Sequence, residues 1–292
     1  MQRDNKLANI GAGRFGKNLT GMTKLFGRNG RTTRVAATFT CLVMGGILAK
    51  AAPLKEARVT QVVQDVKLLP SQAAPRPAVV NDQVREGAAV RTGVESRTEL
   101  TFTDQTLTRL GANTIFSFNG GTRVMNLGGG AILFQVPKGA GGATIKTPAI
   151  TAAITGTTGI AESHPISASN PKPIYKWFCI EGTFVLRLNN GSAQPVTVHA
   201  GQMIVTDGTY LPKPLNFDIA ALVNSSLFFT GFDKPLASLD LIRMEEQKQI
   251  DLKAAGGFVA TTPVDLLKPA ALGNKPAQGI DAQGASAPSP ST

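Results

Sequence analysis

The amino-acid sequence predicts an all-β fold: a β-sandwich or β-roll of short antiparallel strands, followed by a small C-terminal helical hairpin and a disordered tail. Residues 56–212 consist of short segments in which β-branched and polar residues alternate, as expected for strands with one buried face. Glycine, asparagine and proline clusters separate these segments every 8–12 residues or so, roughly the spacing typical of all-β domains. The predicted organisation is a leader at 1–51, the β-domain at 52–212, helices at 213–256 and the tail at 257–292.

The first clear strand pair lies in residues 99–110. Leu100 and Phe102 point to one face of its first strand, because side chains alternate along a strand. Asp104 and Gln105 are predicted to form a tight turn into an antiparallel partner. The opposite face of the first strand carries the polar side chains Glu99, Thr101 and Thr103.

The same alternation continues along the domain. Phe116 and Phe118 share one face of a strand, after which residues 119–121, Asn-Gly-Gly, turn the chain. Residues 147–159 are predicted to be extended although threonine and isoleucine recur every four residues there. Five threonines, two glycines and an early proline disfavour a helix in that stretch. The predicted strands after the first pair are Thr114–Phe118, Ile132–Val136, Lys176–Ile180, Thr183–Leu188, Pro195–His199 and Met203–Thr206.

The spacing of apolar residues after residue 214 predicts two helices. The first is a short helix capped by Asn216, and the second has Pro235 at its N-terminus. Together they are expected to form a hairpin that docks on the β-domain or on a partner. Beyond Gly256 the chain turns to alanine, proline, glycine and serine, so the tail is predicted to be disordered. The apolar positions are Phe217, Ile219, Leu222 and Val223 in the first helix and Leu236, Leu239, Ile242 and Ile250 in the second.

The leader has the pattern of a secretory signal peptide. Residues 35–49 form an uncharged apolar run of 15 residues between a basic stretch and small residues at 49–51. This length fits a signal h-region and falls short of the roughly 18–20 residues needed to span a bilayer. Cleavage is predicted between Ala51 and Ala52, with a retained membrane anchor as the alternative, and Met22 is an alternative start. The predicted location is therefore periplasmic, or extracellular at the cell surface.

The formal net charge of +11 would by itself suggest a nucleic-acid partner. The distribution of this charge along the chain argues against one. Nine basic residues and one acidic residue lie in 1–51, which leaves 21 basic and 18 acidic residues after it. A nearly neutral chain without a run of lysine and arginine lacks the basic surface that phosphate binding requires, so no nucleic-acid partner is predicted. Cys41 lies in the leader and Cys179 is alone after it, so we predict no intramolecular disulfide and interpret Cys179 as a buried small hydrophobe.

The sequence carries no recognisable catalytic or metal-binding constellation. His164 and His199 have no cysteine, aspartate or glutamate at metal-ligand spacing. Asp104 and Asp207 fall in predicted turns, where aspartate bonds to its own backbone. The chain is therefore predicted not to be an enzyme and to need neither a cofactor nor a metal.

Three glycine-rich segments resemble phosphate-binding motifs only in part. Residues 11–16 match GxGxxG letter by letter, but they precede the apolar run of the leader, and no acidic residue follows at the required distance. Residues 128–130 and 139–142 lack the Lys-Ser/Thr pair of a phosphate-binding loop. They are predicted to be turns and a flexible hairpin loop between strands.

Three blocks after the leader together resemble the FecR domain, an exported all-β module. The block at 85–114, REGAAVRTGVESRTELTFTDQTLTRLGANT, is similar to the family's G-x-x-V-x-T-G turn, alternating strand and D-x-T-x-x-R-L-G segment. The block at 143–158, ATIKTPAITAAITGTT, resembles a strand pair ending in Gly-Thr. The block within 180–205 looks like the family's E-G-x-V hairpin and A-G-Q strand. We interpret these motif positions as structural: Gly93, Gly111, Gly156, Thr157, Gly182 and Gly201.

The resemblance implies a role in signalling, because prototype members relay an iron-siderophore signal through a cytoplasmic anti-sigma domain, one membrane span and this domain. The 34 residues before the apolar run are too few for an anti-sigma domain, so this chain is expected to lack it. The leading hypothesis is a non-enzymatic envelope module that binds a protein, for example by pairing with an exposed strand edge. One alternative is binding of polysaccharide or peptidoglycan on an aromatic platform of Tyr175 and Trp177, with Tyr210 as a third candidate. Another is a membrane-anchored relay of the iron-dicitrate regulator type.

Overall fold

The computed structural model describes residues 54–167 and 170–257. These residues form 17 strands and three helices, and the predominance of strands confirms the predicted all-β class. The strands are β1 (Glu56–Val63), β2 (Val66–Leu69), β3 (Arg76–Pro77), β4 (Gln83–Arg85), β5 (Ala89–Thr92), β6 (Arg97–Phe102), β7 (Leu107–Leu110), β8 (Ile115–Asn119), β9 (Val124–Val136), β10 (Ala143–Lys146), β11 (Ile150–Ile154), β12 (Thr157–Ser167), β13 (Asn170–Glu181), β14 (Thr183–Leu188), β15 (Val196–His199), β16 (Gln202–Thr206) and β17 (Leu215–Asn216).

The strands form two sheets that share β9. Sheet A has the order β4-β1-β6-β7-β9-β12-β13-β16-β17. Sheet B has the order β3-β2-β5-β8-β9-β10-β11-β14-β15. Neighbouring strands are antiparallel except β9 and β10, which run parallel. The inner faces of the two sheets contribute to one apolar core, so the fold is a β-sandwich.

Strand β9 joins the two sheets by crossing from one to the other. Its first half pairs with β8 in sheet B, and its second half pairs with β12 in sheet A. Gly130 lies at the crossing with a φ of 94°, where a side chain would overlap Thr114. The turn predicted at residues 128–130 is therefore wrong, because these glycines let a continuous strand bend. The hairpin loop predicted at 139–142 is also wrong, since β10 returns to the start of β9 and pairs with it in parallel.

The core is built from alternating side chains, as predicted for the first strand pair. Leu100 and Phe102 both point inward from β6 and are buried. The ring of Phe102 meets that of Phe118 edge-on, with the centroids 4.9 Å apart, and such pairs add to the stabilisation from buried area. Asp104 and Gln105 lie in the connection between β6 and β7, which confirms the predicted turn.

The helices are α1 (Ile219–Ser225), α2 (Leu227–Thr230) and α3 (Leu239–Ala254). The predicted cap Asn216 is wrong, because Asn216 is held in β17 and Asp218 instead accepts a hydrogen bond from the Ala221 amide. The predicted start at Pro235 is also wrong, since Ser238 is the residue that precedes α3. The predicted hairpin is thus a segment of three helices, of which the last is the longest.

The helical segment docks on the outer face of sheet A. The buried residues Phe217, Ile219, Leu222, Phe228 and Ile242 form a second apolar cluster with outward side chains of that sheet. Within residues 54–167 and 170–257, no helix has the length and apolar character needed to cross a membrane. The predicted signal peptide with its cleavage site at Ala51 and Ala52, and the predicted tail from residue 258 onward, lie outside the described residues.

Candidate interaction surface

The outer face of sheet A is divided into an apolar part and a polar part. The helical segment packs on apolar outward side chains of β9, β12, β13 and β16. Gln135, Glu162 and Lys176 are polar residues on the same face of these strands. Outward side chains on β4 and on residues 56–60 of β1 are polar, and they are exposed or half-buried. The two parts meet at β6 and β7. The apolar part comprises Ala131, Leu133, Ile160, Phe178, Ile180 and Met203, each of them fully buried.

Arg109 on β7 attaches the helical segment to the sheet at this boundary. Its side chain is fully buried, and its Nη1 donates to the carbonyl of Phe228 at 2.6 Å. Its Nη2 donates to the carbonyl of Lys234. The guanidinium carbon also lies 4.4 Å from the ring centroid of Phe232, a cation–π geometry. One side chain of the β-domain therefore contacts three positions of the helical segment.

Glu99 compensates the buried charge of Arg109. Its Oε2 accepts from Arg109 Nε at 2.8 Å, and its Oε1 accepts from the Thr60 hydroxyl at 2.6 Å. Burial lowers the pKa of Arg109 from its ordinary value, while the hydrogen bond and charge of Glu99 oppose that shift. Both carboxylate oxygens are thus paired, which is the condition under which a buried carboxylate is tolerated.

Two further polar contacts attach α3 and the residues before it. Ser238 donates from its backbone N–H and its hydroxyl to Gln135 Oε1, each at 3.1 Å. Gln249 on α3 accepts from the Ile219 amide at 3.0 Å and donates to the Phe217 carbonyl at 2.9 Å. These hydrogen bonds lie in buried surroundings, so losing one partner would leave the other unsatisfied. The helical segment is therefore specifically oriented on sheet A.

One side of α3 carries exposed apolar residues among charged ones. Ile242 and Gln249 face the sheet and are buried, whereas Leu241, Met244 and Leu252 are 38%, 58% and 51% exposed. These three residues follow one another along the helix at intervals that keep them on one side. We call them the α3 stripe. The described residues therefore leave much of the stripe uncovered.

A shallow groove of 220 Å³ lies on the polar part of sheet A. It is lined mainly by outward side chains of β1, β4 and β6. Thr60 stands at one end of the groove and connects it to the Glu99–Arg109 pair. The polar lining residues are Glu56, Arg58, Thr60, Gln83, Thr101 and Thr103.

The predicted aromatic platform of Tyr175 and Trp177 is wrong. Both residues do lie on one face of β13, but that face is the inner one, and their exposed fractions are 1% and 0%. Trp177 packs beside Phe184 of sheet B, with ring centroids 6.1 Å apart. A ring inside the sandwich offers no face to a sugar. Tyr210 is exposed, but it lies on the surface without these two rings.

The titratable residues considered for chemistry occupy separate places. Burial, followed by the charge of Lys176, lowers the pKa of His164 to about 4. His199 is exposed, with its Nδ1 3.4 Å from the Thr183 hydroxyl. Cys179 is buried in the core, and burial raises the pKa of its thiol. Among the described residues, no group of three or more His, Cys, Asp or Glu side chains could hold a metal ion.

The family-motif residues lie where the chain passes between the sheets. Gly93 and Gly111 flank β6 and β7, and Gly111 accepts a hydrogen bond from the Thr92 hydroxyl at 2.6 Å. The other four lie at three corners: Gly156 and Thr157 at the start of β12, Gly182 before β14 and Gly201 before β16. Thr157 donates from its hydroxyl to the carbonyl of Thr183 at 2.7 Å, which ties the corner before β12 to the corner before β14. The corner glycines with positive φ are Gly156 (84°), Gly182 (83°) and Gly201 (77°).

Sequence reasoning missed the buried ion pairs. Besides Glu99 and Arg109, Asp104 accepts from Arg123 Nη2 at 2.6 Å, with both side chains nearly buried. Asp104 does bond to the Thr106 amide within its turn, as predicted, but it has this second role. One signal in the sequence could have indicated a buried ion pair. Arg109 is a charged residue within a predicted strand that also contains the apolar residues Leu107 and Leu110.

Comparisons with known proteins give one family and a distant structural likeness. Residues 88–169 match the family described as FecR protein. Two crystal structures of a protein from Parabacteroides distasonis, provisionally described as an anti-sigma factor, are each 13% identical to this chain with a TM-score of 0.39. The alignments cover 47% of this chain and 65% and 64% of those chains, which is less than two thirds of their length. The curated proteins include no match.

The matched residues contain most of the first block of FecR motifs and all of the second. The third block, within 180–205, lies beyond the match. Arg109 lies inside the match, whereas its backbone partners in the helical segment lie outside it. On these motifs and this match, residues 88–169 form a FecR domain.

Proposed function

We propose that this FecR-domain protein is exported and acts in the cell envelope, without catalysis, as a binding or scaffolding module for another protein. The observation that carries the proposal is the α3 stripe. Leu241, Met244 and Leu252 are apolar and exposed on a helix that is fixed by its buried residues Ile242 and Gln249. Several exposed apolar residues on one side of a fixed element are typical of protein-binding surfaces.

The edge strands of the two sheets are poorly suited to pairing with a strand of another protein. This favours α3 over a strand edge as the binding element. Strand β3 ends in proline, and β4 and β17 have three and two residues. At the edge strand β15, the His199 amide already donates to Gln202 Oε1 at 3.1 Å, and Pro195 has no N–H to donate. These features leave few free donors for an added strand. We therefore place the protein partner on α3.

Export rests on the leader pattern. The apolar run at 35–49 and the small residues Ala49 and Ala51 have the length and composition of a cleaved signal peptide. The competing proposal is a relay anchored in the membrane by the same run. Intact-mass measurement of the exported protein separates the two: a mature terminus at Ala52 supports the exported module, and retention of residues 35–49 supports the anchored relay.

The protein-binding proposal is tested by capture from envelope extract with matched variants. The bait is the full chain with Leu241→Gln, Met244→Gln and Leu252→Gln, compared with wild type. The control is Val79→Gln with Val80→Gln, which replaces apolar residues that are 58% and 51% exposed on a loop of the β-domain.

We expect wild type and the loop control to enrich the same envelope protein and the stripe variant to lose it. Reconstitution of that pair from purified components, with the same dependence on the stripe, completes the test. Equal enrichment by all three baits, or a partner that binds the stripe variant as tightly as wild type, would show that α3 is not the binding element.

A further inference from the structure

The groove on the polar part of sheet A has a regular floor. In the register of β4, β1 and β6, Arg85 lies beside Glu56, and Glu56 lies next to the Thr103 end of β6. One step further along, Gln83 lies beside Arg58, which lies beside Thr101. Outward side chains two residues apart on one strand are about 7 Å apart, and neighbouring strands are about 5 Å apart. The floor therefore presents a lattice of polar groups.

These groups have almost no partners within the protein. In residues 54–167 and 170–257, the side chains of Glu56, Gln83, Arg85 and Thr101 make no hydrogen bond or ion pair. Arg58 makes one long contact, 3.5 Å from Nη1 to Asn81 Oδ1. The neighbouring outward residues Glu99 and Arg109 are, by contrast, completely paired. The polar groups of the groove are thus free to bind a ligand on a rigid sheet.

Thr60 adds an ordered acceptor at one end of the groove. Its hydroxyl proton is directed to Glu99 Oε1 at 2.6 Å, so the oxygen is left with lone pairs for an external donor. The helical segment stops close by, where the Asp233 amide donates to Gln61 Oε1 at 3.1 Å. The groove is therefore bounded at this end and open along β1.

The chemistry of the lining selects the class of ligand. Arg58 requires an acceptor and Glu56 requires a donor, whereas the Gln83 amide and the three threonine hydroxyls can both donate and accept. A chain of hydroxyl groups satisfies all of these at once. A polyphosphate or nucleic acid would place negative charge against Glu56. The apolar lining residues Ala57 and Phe102 are each only 2% exposed, so they offer little surface to a hydrophobic ligand. We infer that this groove binds a neutral oligosaccharide, at a site that contains no residue of α3 and is independent of the protein-binding proposal.

The test uses the full chain and a panel of neutral oligosaccharides: chitotetraose, cellotetraose, maltotetraose and mannotetraose. Each oligosaccharide is titrated into the protein, and binding is measured by calorimetry and by changes in the chemical shifts of the backbone amides. Open polar sites of this kind bind weakly, so a dissociation constant of about 1 mM or below is expected for one member of the panel. The backbone amides whose chemical shifts change should lie on β1, β4 and β6.

The variant Arg58→Ala with Thr101→Val should weaken that binding about tenfold, because two or more hydrogen bonds are lost. The matched control is Arg187→Ala with Thr197→Val, which removes the same two residue types from exposed positions on β14 and β15 of sheet B. The control should bind like wild type. Both variants change strand residues outside the apolar core, of which Thr101 is half-buried and the others are exposed, so their melting temperatures should stay near that of wild type.

Three results would overturn the inference: no binding by any neutral member of the panel, equal loss in both double variants, or amide shifts that map elsewhere. Binding confined to a tetragalacturonate control would also overturn it, since that ligand is acidic. None of these results bears on capture of a protein through the α3 stripe, so the two proposals fail separately.

Discussion

Arg109 and Glu99 face each other across β7 and β6, with 2.8 Å between Nε and Oε2 and with both side chains almost completely buried. The pair lies at the line where the open polar part of sheet A meets its covered apolar part. Arg109 belongs to the matched FecR residues and reaches the carbonyls of Phe228 and Lys234, which follow the match in the chain. A residue of the domain motif thus holds the C-terminal segment in place.

Replacing Arg109 by methionine should destabilise the protein strongly. Glu99 would remain buried without its cation, and removing one partner of a buried ion pair costs about 3–5 kcal/mol. Urea denaturation gives this loss as a lower midpoint. Limited proteolysis should also cut the chain within residues 226–238 sooner than in wild type, because the segment loses its contacts with Arg109.

The double variant Arg109→Met with Glu99→Leu is the control for that prediction. It removes both charges, so it should recover a large part of the lost stability. An Arg109→Met variant that unfolds within about 1 kcal/mol of wild type would show that the pair contributes little, since that is the effect of an ordinary substitution.

Gly156→Val should lower the unfolding midpoint without a separable binding defect. Gly156 has a φ of 84°, and the Cβ of any other residue would lie 2.7 Å from Lys138 Cγ and 3.0 Å from Lys138 Cα. Backbone strain alone costs about 1–3 kcal/mol, and the close contact adds to it. Gly87→Val is the matched variant, because Gly87 has a φ of 81° and no atom within 4 Å of the Cβ position.

Thermal melts of both variants distinguish the cost of backbone strain from the cost of the close contact with Lys138. Ala88→Ser, next to Gly87 in the chain, serves as a mild substitution for comparison. We expect Gly156→Val to melt lowest, Gly87→Val to lie between and Ala88→Ser to stay close to wild type. A Gly156→Val protein of unchanged stability that no longer binds a partner would contradict the structural interpretation of this motif.

Local sequence patterns were sufficient for the first strand pair of the domain and for the turn within it. The alternation at Leu100 and Phe102 follows from the geometry of a strand, and the turn at Asp104 and Gln105 follows from the preferences of those residues. The strand alternation and the turn each depend only on residues close together in the chain, so both can be predicted from a single sequence. The outward direction of Glu99 was also predictable by the same rule.

The surroundings of Glu99 were not predictable in this way. Its burial depends on residues 226–238, more than a hundred positions later, and on Arg109 beside it. Gly130 shows the same limit, because glycine permits a turn and a bent strand equally well, and only the pairing of β9 with both sheets decides. The Tyr175 and Trp177 pair was placed on one face correctly, but the choice of the inner face depends on the partner strands.

Cys179 should resist thiol reagents in the folded protein. It is fully buried, and burial, followed by the nearby carboxylates of Glu181 and Glu245, raises the pKa of its thiol. The reactive thiolate is therefore scarce, and the sulfur is inaccessible. In a Cys41→Ser background, labelling by iodoacetamide at pH 8 should follow the rate of unfolding. Fast labelling of the native protein would show that the core opens locally around β13.

Acidification should destabilise the protein through His164. Burial and then the charge of Lys176 lower the pKa of His164 to about 4, from an ordinary value of 6.5. Below pH 6.5 the unfolded chain takes up a proton that the folded protein excludes, so stability is complete above that pH and decreases as the pH falls towards 4. The decrease from this one group should reach about 2–3 kcal/mol.

Urea midpoints measured between pH 7.5 and about pH 4 check the effect in wild type and in two variants. His164→Gln removes the group that titrates, so its stability should fall less steeply over this range than that of wild type. His199→Asn removes a histidine that is exposed in the folded protein, and it should keep the slope of wild type. Identical slopes in wild type and His164→Gln would mean that other groups cause the acid sensitivity and that His164 accepts its proton as readily in the folded chain as in the unfolded one.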